Sequence, residues 1–440
     1  SSRIGTVLFD QDSKIAEGVR GRRSAAFELE EWGRARRDRA RPLVWFHAPS
    51  VGEGLQARAV MEALLEARPD VQLVFTFFSP SARGLAARMP ARVAGYLPWD
   101  AQDECGLVLD ALAPELVVFT KTEVWPGLSA AAERRGIPTA LVAATLPSGA
   151  ARLRWPARRL LRPAFGRLAR VGAISHEDGA RFSRLGVDPE RVCTTGDPGI
   201  DSAFQRVSGA DPRSAHLAPF LGNPDPGSAP PERSMTARRP TLIAGSTWEP
   251  DEDVLLPAFA AARRVYPELR MVLAPHEPAP GHLARIESRL REAGASSRRL
   301  AEVEATEDAG GVDVVVVDRV GVLADLYKAG TFSYIGGGFG RHGLHSVLEP
   351  AAARLPVLFG PHHSNSRAAA DLLRENAARV VHDAEDTVAR IAEWIREPDA
   401  RNAAADAALA YISRHRGAAR ESAALLVTLI TGPRTKGSTQ

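Results

Sequence analysis

The residues that could do chemistry stand in short polar clusters, each directly after an apolar run of the kind that forms a buried strand. Five such clusters lie at residues 47–53, 121–126, 245–247, 274–277 and 318–321. Open α/β folds bind their ligands at the carboxyl ends of the strands, so polar groups at that edge are candidate ligand contacts. One such group is most often part of a turn, but five of them in two halves of the chain favour a ligand site.

A further stretch, residues 334–361, combines a strand, a glycine loop and a second strand. The loop contains Gly336, Gly337, Gly338 and Gly340, which permit positive φ angles and a close approach of the backbone to a ligand. The sequence predicts a helix that begins near Leu344, whose first amides would face an anion. The glycines alone are equally compatible with a loop that only makes the turn.

Two side chains beyond the loop favour function. His345 and Glu349 are four residues apart, so the predicted helix would carry both on one face. A ligand with a phosphate and a ribose would suit the amides and the carboxylate together. The stretch is not a dinucleotide fingerprint, because no acidic residue follows at the required distance, and it is not a phosphate loop ending in Gly-Lys-Ser/Thr.

Glu53 has two interpretations. It follows Ser50 at the spacing of a capping box, in which both side chains only stabilise the start of a helix. It also lies at the predicted edge of the sheet, where a carboxylate could be a general base. Lys121, Glu123 and Trp125 follow another buried run, and this combination favours a site over three solvated residues.

The composition is that of a soluble globular protein long enough for two domains. The chain has 440 residues, of which 45% are apolar and 25% charged, with a formal net charge of +3. Cys105 and Cys193 form neither a metal pattern nor a disulfide framework, so a reducing compartment fits. The sequence contains no run of 18 apolar residues, the length that a helix needs to span a bilayer. The chain begins with Ser1 rather than Met, and we expect that an upstream segment was removed.

Arginines are concentrated in two segments, residues 20–41 and 151–170. The second contains seven arginines and no acidic residue, on a helical pattern of apolar residues. A helix with a solvated basic face is the commonest explanation of such a pattern. A surface for anionic lipid is the alternative. We expect no nucleic-acid partner, because no aromatic stacking motif accompanies the arginines.

Alternating strand and helix patterns predict parallel βαβ units with right-handed crossovers. Changes in composition give the boundaries. We expect a basic N-terminal segment at 1–41, a Rossmann-like domain at 42–204, a Pro/Ser-rich linker at 205–239, a second Rossmann-like domain at 240–402, a helical stretch at 403–431 and a disordered tail at 432–440.

Together these motifs resemble those of the 3-deoxy-D-manno-octulosonic acid (Kdo) transferases of lipopolysaccharide assembly. Residues 50–53, Ser-Val-Gly-Glu, are similar to the family's Ser-x-Gly-Glu, and residues 122–126, Thr-Glu-Val-Trp-Pro, to its Thr-Glu-Leu-Trp-Pro. Lys121, with residues 245–248, 274–277 and 334–361, fits a branch of the family that has Lys before the second motif. Ser346 stands where the family has Asn, and Gly199 where a basic residue is usual.

The resemblance implies an α/β fold of two Rossmann-like domains facing across a cleft, the glycosyltransferase B (GT-B) fold. It implies inverting transfer of Kdo from CMP-Kdo, bound by the C-terminal half, to a lipid A precursor (lipid IVA), bound by the N-terminal half. No metal and no cofactor are expected. The amides around Ser246 and the glycine loop would stabilise the departing phosphate.

The resemblance also assigns residues. Glu53 would be the catalytic base. The acceptor would contact Ser50, Gly52, Lys121 and Glu123. The donor would contact Gly245, Ser246, Thr247, His276, Gly336, Gly337, Gly338, Phe339, Gly340, His345, Ser346 and Glu349.

The resemblance places the enzyme at the cytoplasmic face of the bacterial inner membrane, peripheral or anchored by a segment absent from this chain. The arginine-rich segments would then face anionic lipid. Two other functions stay open: a GT-B glycosyltransferase with another nucleotide sugar, and a protein that binds a sugar nucleotide or an anionic lipid without catalysis. The intact Glu53 argues against the second.

Overall fold

The computed structural model describes residues 14–221, 239–341 and 343–430. The chain forms two compact units. The first contains the described residues up to Ser202 and those from His415 onward, and the second is Ala203–Arg414. The chain therefore leaves the first unit and returns to it with its last helix.

The first unit is built on one parallel sheet. Its strands are β1 (Leu43–His47), β2 (Gln72–Phe77), β3 (Val93–Tyr96), β4 (Leu116–Thr120), β5 (Thr139–Ala144), β6 (Arg170–Ala173) and β7 (Val192–Thr194). The helices along this part of the chain are α1 (Lys14–Ala35), α2 (Val51–Ala67), α3 (Arg83–Ala86), α4 (Gln102–Leu112), α5 (Pro126–Glu133), α6 (Ala157–Gly166), α7 (His176–Arg184) and α8 (Pro198–Ser208). The strand order is β3-β2-β1-β4-β5-β6-β7.

The central strands of this sheet are buried along their whole length. Every residue of β1, β2, β4 and β5 is buried. Strands covered on both faces carry near-continuous apolar runs, which is why the sequence pattern located them. Trp45 and Phe119 belong to one apolar cluster, and Phe46 and Phe75 to another. Neighbouring strand residues point to opposite faces, so these clusters cover the two sides of the sheet.

The second unit repeats this architecture. Its strands are β8 (Thr241–Thr247), β9 (Arg270–Pro275), β10 (Ser297–Arg299), β11 (Val314–Val316), β12 (Phe332–Ile335), β13 (Val357–Phe359) and β14 (Ala378–Val380). Its helices are α9 (Ala218–Leu221), α10 (Glu249–Val265), α11 (Pro280–Glu292), α12 (Leu300–Thr306), α13 (Leu323–Leu326), α14 (Leu348–Ala352), α15 (Arg367–Arg374), α16 (Ala384–Arg396) and α17 (Pro398–His415). The order β10-β11-β9-β8-β12-β13-β14 puts β8 between β9 and β12.

The last helix, α18 (Ala418–Val427), completes the first unit. It packs against α2, and Ala423 and Leu426 are buried in the same apolar cluster as residues of that helix. The carboxylate of Asp201, at the start of α8, accepts from the backbone N–H of Gly417 at 2.7 Å and of Ala419 at 2.9 Å. Asp201 therefore caps α18 at the point where the chain re-enters the first unit.

Several predicted boundaries need correction. The helix expected to begin near Leu344 begins at Leu348 and is five residues long. The expected helical stretch 403–431 is divided, because α17 lies almost wholly in the second unit and α18 in the first. Residues 205–208 of the expected linker complete α8. Residues 222–238 of that linker and the expected tail, 432–440, lie outside the described residues.

Candidate active site

The carboxylate of Glu53 lies at the carboxyl edge of the first sheet, as the sequence predicts. β1 and β4 are neighbours in the sheet, so the first turn of α2 meets the residues that follow β4. Lys121 Nζ donates to Glu53 Oε1 at 3.1 Å, and Ser50 Oγ donates to the other oxygen of the same carboxylate. The Glu53 side chain is 15% exposed. The carboxylate is therefore oriented from two sides while it stays open to solvent.

Ser50 and Glu53 do not form the capping box that their spacing allows. Ser50 is the N-cap residue of α2, but its side chain makes no hydrogen bond to the backbone of the helix. Its hydroxyl donates to Glu53 instead. A contact between the two side chains orients the carboxylate, which agrees with a chemical role better than with a purely helix-stabilising one.

Two of the predicted site residues adopt a left-handed backbone conformation. Lys121, directly after β4, has φ 66°, and Ser246, the next-to-last residue of β8, has φ 56°. The register between β8 and β9 shifts between Gly245 and Thr247, so Ser246 stands out of the ladder. Such a conformation costs a residue with a Cβ about 1–3 kcal/mol and occurs preferentially at functional sites. Both residues therefore mark the sheet edges where a ligand is expected.

Two more residues, Gly52 and Glu123, are predicted to contact the acceptor. Glu123 forms an ion pair with Arg152 of the second basic segment. Gly52 lies in the first turn of α2, and a Cβ at this position would meet nothing within 4 Å. No steric requirement explains this glycine, and its contact with an acceptor stays a prediction.

Two further titratable groups, Asp197 and His47, lie in the first unit close to residues of this edge. Asp197 Oδ1 accepts from Gln56 Nε2 and from the backbone N–H of Gly199, both at 2.8 Å, and burial raises the pKa of Asp197. A Cβ at Gly199 would lie 2.9 Å from that same oxygen. Burial lowers the pKa of His47, at the end of β1, to about 3. Its ring meets Trp125 edge-on, with 5.7 Å between the ring centroids.

In the second unit, three aromatic rings stack at the ends of the central strands. Trp248 follows β8, His276 follows β9, and His345 follows the glycine loop after β12. The two histidine rings lie 4.2 Å apart, and Trp248 lies 4.7 Å from His276. Trp248 Nε1 donates to His345 Nε2 at 2.8 Å. Since an indole N–H can only donate, His345 Nε2 is unprotonated and the neutral ring carries its proton on Nδ1.

The other residues at the end of β8 are engaged inside the protein. Thr247 is fully buried, and its hydroxyl donates to Glu252 Oε1 at 3.0 Å. A Cβ at Gly245 would lie 2.2 Å from the hydroxyl oxygen of Tyr327. Gly245 and Thr247, two of the predicted donor contacts, therefore face the protein interior. Ser246, at the register shift between them, is the residue of this group that could reach a ligand.

The glycine loop is shaped by close backbone contacts. A Cβ at Gly336 would lie 2.2 Å from the carbonyl oxygen of Ser246, and one at Gly338 would lie 2.5 Å from the amide nitrogen of Gly360. The loop therefore lies in close contact with the end of β8 on one side and with Gly360, directly after β13, on the other. Packing alone requires these glycines, whatever the ligand.

Three amides of the loop are occupied by protein groups. Gly337 N donates to Asp251 Oδ2 at 2.8 Å, and Phe339 N donates to Asp251 Oδ1 at 3.3 Å. Gly336 N donates to the carbonyl of Gly245 at 2.9 Å. These three amides are therefore not placed to hold the ligand's phosphate as expected, because two donate to a protein carboxylate and the third to a backbone carbonyl.

His345 and Glu349 do not share a helix face, which corrects a second expectation. Residues 343–347 are not helical. The backbone N–H of Leu344 donates to Asn365 Oδ1 at 3.0 Å, and that of His345 donates to the carbonyl of Gly336 at 3.1 Å. These tertiary bonds replace the bonds of a first helical turn.

The two remaining predicted donor contacts, Ser346 and Glu349, lie at the start of α14. Ser346 is exposed, and its Oγ accepts from the backbone N–H of Leu348 at 3.3 Å. The carboxylate of Glu349 forms an ion pair with Arg206 of α8. Glu349 is thus held at the strand edge by a partner that the sequence did not indicate.

A cavity of about 770 Å³ opens beside the glycine loop. It is bounded by residues that follow four strands, β8, β9, β12 and β13. Its walls include Trp248, Glu277, His282, Phe339, Arg341 and His362, and Gly340 also contributes. Its size and its mixture of aromatic and polar groups are those of a small-molecule site.

The two basic segments differ in the structure. Arg154, Arg158, Arg159 and Arg162, on and before α6, are exposed and make no ion pair with another described residue. Trp155 and Leu160 lie among them with exposed fractions of 81% and 74%. This combination of exposed arginines and exposed apolar side chains is called the α6 patch below.

The first basic segment instead holds the fold together. Arg22 is buried, lies over the ring of Phe78 and donates to its carbonyl at 3.0 Å. Arg37, Arg39 and Arg41 donate to backbone carbonyls of neighbouring elements. Arg22 is therefore not available to face lipid, while a lipid contact of the rest of the segment stays a prediction.

Residues 14–221, 239–341 and 343–430 contain neither a cluster of metal ligands nor a helix that could span a membrane. No group of three His, Cys, Asp or Glu side chains in these ranges is placed to hold a metal ion. No helix within them is long and apolar enough to cross a membrane.

Solved structures share this architecture at low sequence identity. A UDP-N-acetylglucosamine 2-epimerase from Neisseria meningitidis superposes with a TM-score of 0.58 at 12% identity, covering 88% of this chain and 99% of its own. A glycosyltransferase from Rickettsia africae superposes with a TM-score of 0.57 at 9% identity, covering 88% of this chain and 98% of its own. The two parallel seven-stranded sheets define an α/β protein of the two-domain GT-B class.

Sequence relatives identify the family within that class. Residues 27–202 match the family model of the 3-deoxy-D-manno-octulosonic-acid transferases (Kdo transferases). The Kdo transferase of Bordetella pertussis is 31% identical over 414 residues, which cover 90% of each chain. That of Haemophilus influenzae is 26% identical over 324 residues, 73% of this chain and 71% of its own. The chain belongs to the Kdo transferase family, and it is a glycosyltransferase that transfers Kdo in lipopolysaccharide biosynthesis.

Proposed function

We propose that this enzyme transfers Kdo from CMP-Kdo to the lipid A precursor lipid IVA, at the cytoplasmic face of the inner membrane and without metal or cofactor. The observation that carries the chemical part is the Glu53 carboxylate, which Lys121 and Ser50 orient at the edge of the first sheet. A carboxylate held in this way and partly open to solvent is suited to accept a proton from an acceptor hydroxyl.

The proposed transfer needs one base, Glu53, and one leaving group, CMP. The acceptor hydroxyl oxygen forms a bond to the anomeric carbon of Kdo while the bond from that carbon to the phosphate oxygen of CMP breaks. The hydroxyl proton passes to Glu53, and CMP leaves with the bonding electron pair. Attack from the side opposite the phosphate inverts the anomeric centre.

The second unit supplies the donor site in this proposal. Its support is the convergence of Ser246, His276, His345 and Glu349 on the carboxyl edge of one sheet, next to the cavity. The switch in strand order falls at β8 and β12, where open α/β sheets bind nucleotides. Glu349 would accept from the ribose hydroxyls, and the bulged Ser246 would approach the phosphate.

The α6 patch supports docking to an anionic membrane. Exposed Trp155 and Leu160 supply apolar groups of the kind that enter the lipid interface, and the surrounding arginines match lipid phosphates. The acceptor itself carries phosphates and acyl chains. The same surface would therefore attract both the bilayer and the acceptor.

The test is a donor screen with lipid IVA as acceptor, using CMP-Kdo, UDP-sugars and GDP-sugars, with wild type, Glu53→Gln and Glu62→Gln. We expect turnover with CMP-Kdo only, and a loss of turnover in Glu53→Gln of ~10²–10⁴-fold, the usual contribution of general acid–base catalysis. Glu62, on the same helix and paired with Arg58, is the matched control and should be neutral.

Each part of the proposal can fail separately in this screen. Turnover with another nucleotide sugar would contradict CMP-Kdo as the donor, while the assignment to the GT-B glycosyltransferases would stand. Turnover near wild type in Glu53→Gln would leave Glu53 without a role as base. Loss of turnover in the absence of added metal would contradict metal-independent transfer.

A further inference from the structure

We propose that Asp251 is the positioning residue of the donor site: a buried carboxylate that occupies the glycine loop and holds it in the shape to which the donor binds. This inference rests on the proposed function, because it takes the second unit as the donor site. Asp251 is not expected to contact the donor itself, since its side chain has no exposed surface.

Four donors from three places in the fold converge on this one carboxylate. Oδ1 accepts from the hydroxyl of Tyr334 at 3.0 Å and from Phe339 N at 3.3 Å. Oδ2 accepts from Trp248 N at 2.9 Å and from Gly337 N at 2.8 Å. The start of α10, the strand β12 and the glycine loop are therefore tied together at a single side chain.

The four hydrogen bonds allow the carboxylate to stay in the core. A buried carboxylate is costly unless its oxygens are satisfied, and here each oxygen accepts twice. Burial, reinforced by the negative charge of Asp251, raises the pKa of Tyr334 well above its ordinary value. Tyr334 therefore remains a phenol and donates its proton to the carboxylate.

The contacts exceed what helix capping requires. Asp251 is the third residue of α10, and its bond to Trp248 N is that of an ordinary capping residue. The bonds to Gly337 N and Phe339 N bring no benefit to the helix and fix the backbone of the loop. Beyond Phe339 the loop continues into the cavity wall through Gly340 and Arg341. The carboxylate thus sets the position of that wall.

Trp248 links the same carboxylate to the histidine stack. Its backbone N–H bonds Asp251, while its indole N–H bonds His345 Nε2. A shift of Asp251 would therefore displace both the glycine loop and the ring that orients His345. A site whose parts are held before the ligand arrives loses less freedom on binding, so we expect the effect to be on donor affinity.

An asparagine cannot replace this aspartate. Whichever way the amide of Asp251→Asn turns, its NH2 group faces two donors, because each carboxylate oxygen accepts from two. Two of the four hydrogen bonds would be lost, and buried donors would be left without a partner. The loop can recover only by moving.

The experiment compares wild type with Asp251→Asn, Tyr334→Phe and Glu302→Gln. Glu302 is the matched control, because it holds the same position at the start of α12 and accepts from Arg299 N at 3.1 Å without reaching the loop. CMP affinity is measured by calorimetry, KM for CMP-Kdo and kcat by steady-state kinetics, and folding by thermal unfolding. We expect Asp251→Asn to weaken CMP binding and raise the donor KM about tenfold or more, with a smaller change in kcat.

The outcomes separate this inference from the proposed function. If wild type binds CMP and Asp251→Asn binds it equally well, then Asp251 only caps α10 and the inference is overturned. If wild type binds no CMP, the donor assignment itself fails. Tyr334→Phe removes one of the four donors and keeps the carboxylate. If Asp251→Asn does not fold, this variant tests whether Asp251 positions the loop. An unchanged donor KM in Tyr334→Phe would then overturn the inference.

Discussion

Glu349 is the residue through which the nucleotide assignment can be tested most directly. Its carboxylate is the group proposed to accept from ribose hydroxyls, and hydrogen bonds to a charged group contribute about 1.5–3 kcal/mol each. We therefore expect Glu349→Ala to weaken CMP binding by about tenfold or more, measured by calorimetric titration.

The ion pair of Glu349 supplies the control for this test. Arg206→Ala removes the partner but leaves the carboxylate, so CMP binding should persist in that variant. Equal affinity of wild type and Glu349→Ala for CMP would rule out the ribose role. A loss as large in Arg206→Ala would show that the ion pair, and not the carboxylate alone, shapes the site.

His47 gives a prediction about pH. Burial lowers its pKa to about 3 in the folded protein, against an ordinary value near 6.5. Between these two values the unfolded chain binds a proton that the folded protein does not, so the stability supplied by neutral His47 is present above about pH 6.5 and is lost as the pH falls towards 3. The free energy of unfolding should fall by about 1.4 kcal/mol per pH unit through this residue.

The comparison is between urea unfolding of wild type, His47→Gln and His176→Gln at pH values from 7 to 4.5. His47→Gln should lose part of the pH dependence. His176 is exposed and serves as the control. A slope as steep in His47→Gln as in wild type would mean that other groups cause the acid sensitivity.

At the level of single residues, the sequence predicted those site residues that directly follow the apolar pattern of a buried strand. Glu53 and Lys121 follow apolar runs, and adjacency of β1 and β4 brings them together. Asp251 could not be found in this way, because the loop amides that it binds lie more than 80 residues further along the chain. The one available signal was an acidic residue in the first helical turn after Ser246, which also fits an ordinary cap.

Among the elements, the strands were more predictable than the helix starts. The buried strands carry continuous apolar runs that need no tertiary information. The helix after the glycine loop was placed four residues too early, because Asn365 and Gly336 capture the amides that would have begun it. Bonds from distant residues decide such a start, and a local pattern does not contain them.

The α6 patch carries the prediction for membrane docking. Each basic residue near an anionic surface contributes about 1 kcal/mol, so changing Arg154, Arg158, Arg159 and Arg162 to Gln should weaken binding to anionic liposomes roughly 100-fold to 1,000-fold. The measurement is co-sedimentation with anionic and neutral vesicles at low and high salt. Salt should weaken wild-type binding, because exposed charges are screened.

A second variant controls for total charge. Arg20, Arg23 and Arg34 of α1 and Arg36 directly after it are also exposed, and changing them to Gln removes the same charge from another surface. Binding should then persist. If both variants bind alike, total charge or another surface is responsible. If wild type ignores lipid charge, the arginines of α6 are a solvated helix face.

For the whole molecule, the sequence predicted two α/β units but not how the chain is divided between them. The second unit is one continuous segment, Ala203–Arg414, whereas the first needs α18 from the end of the chain. Composition gave no indication of this exchange, because α17 and α18 are both rich in alanine. Only the packing of α18 on α2 separates them.

This division predicts the behaviour of fragments. Residues 203–414 contain all seven strands of the second sheet, so this fragment should unfold cooperatively and bind CMP with the affinity of the full chain. Residues 14–202 alone should aggregate, because they lack the helix that covers α2. Joining residues 415–430 to Ser202 through a short Gly/Ser linker should restore a soluble fold, since Asp201 contacts Gly417 directly. A soluble, cooperatively folded 14–202 fragment would contradict this.

The return of α18 to the first unit has a consequence for synthesis on the ribosome. After Ser202 has been made, 212 further residues (203 to 414) must be added before the segment that carries α18 begins. At about 5–20 residues per second, this takes roughly 10–40 seconds. Throughout that time the apolar face of α2 remains uncovered in the nascent chain. The half of the enzyme that is translated first therefore finishes folding last, and any insertion in the second unit lengthens the interval during which a chaperone must shield the first.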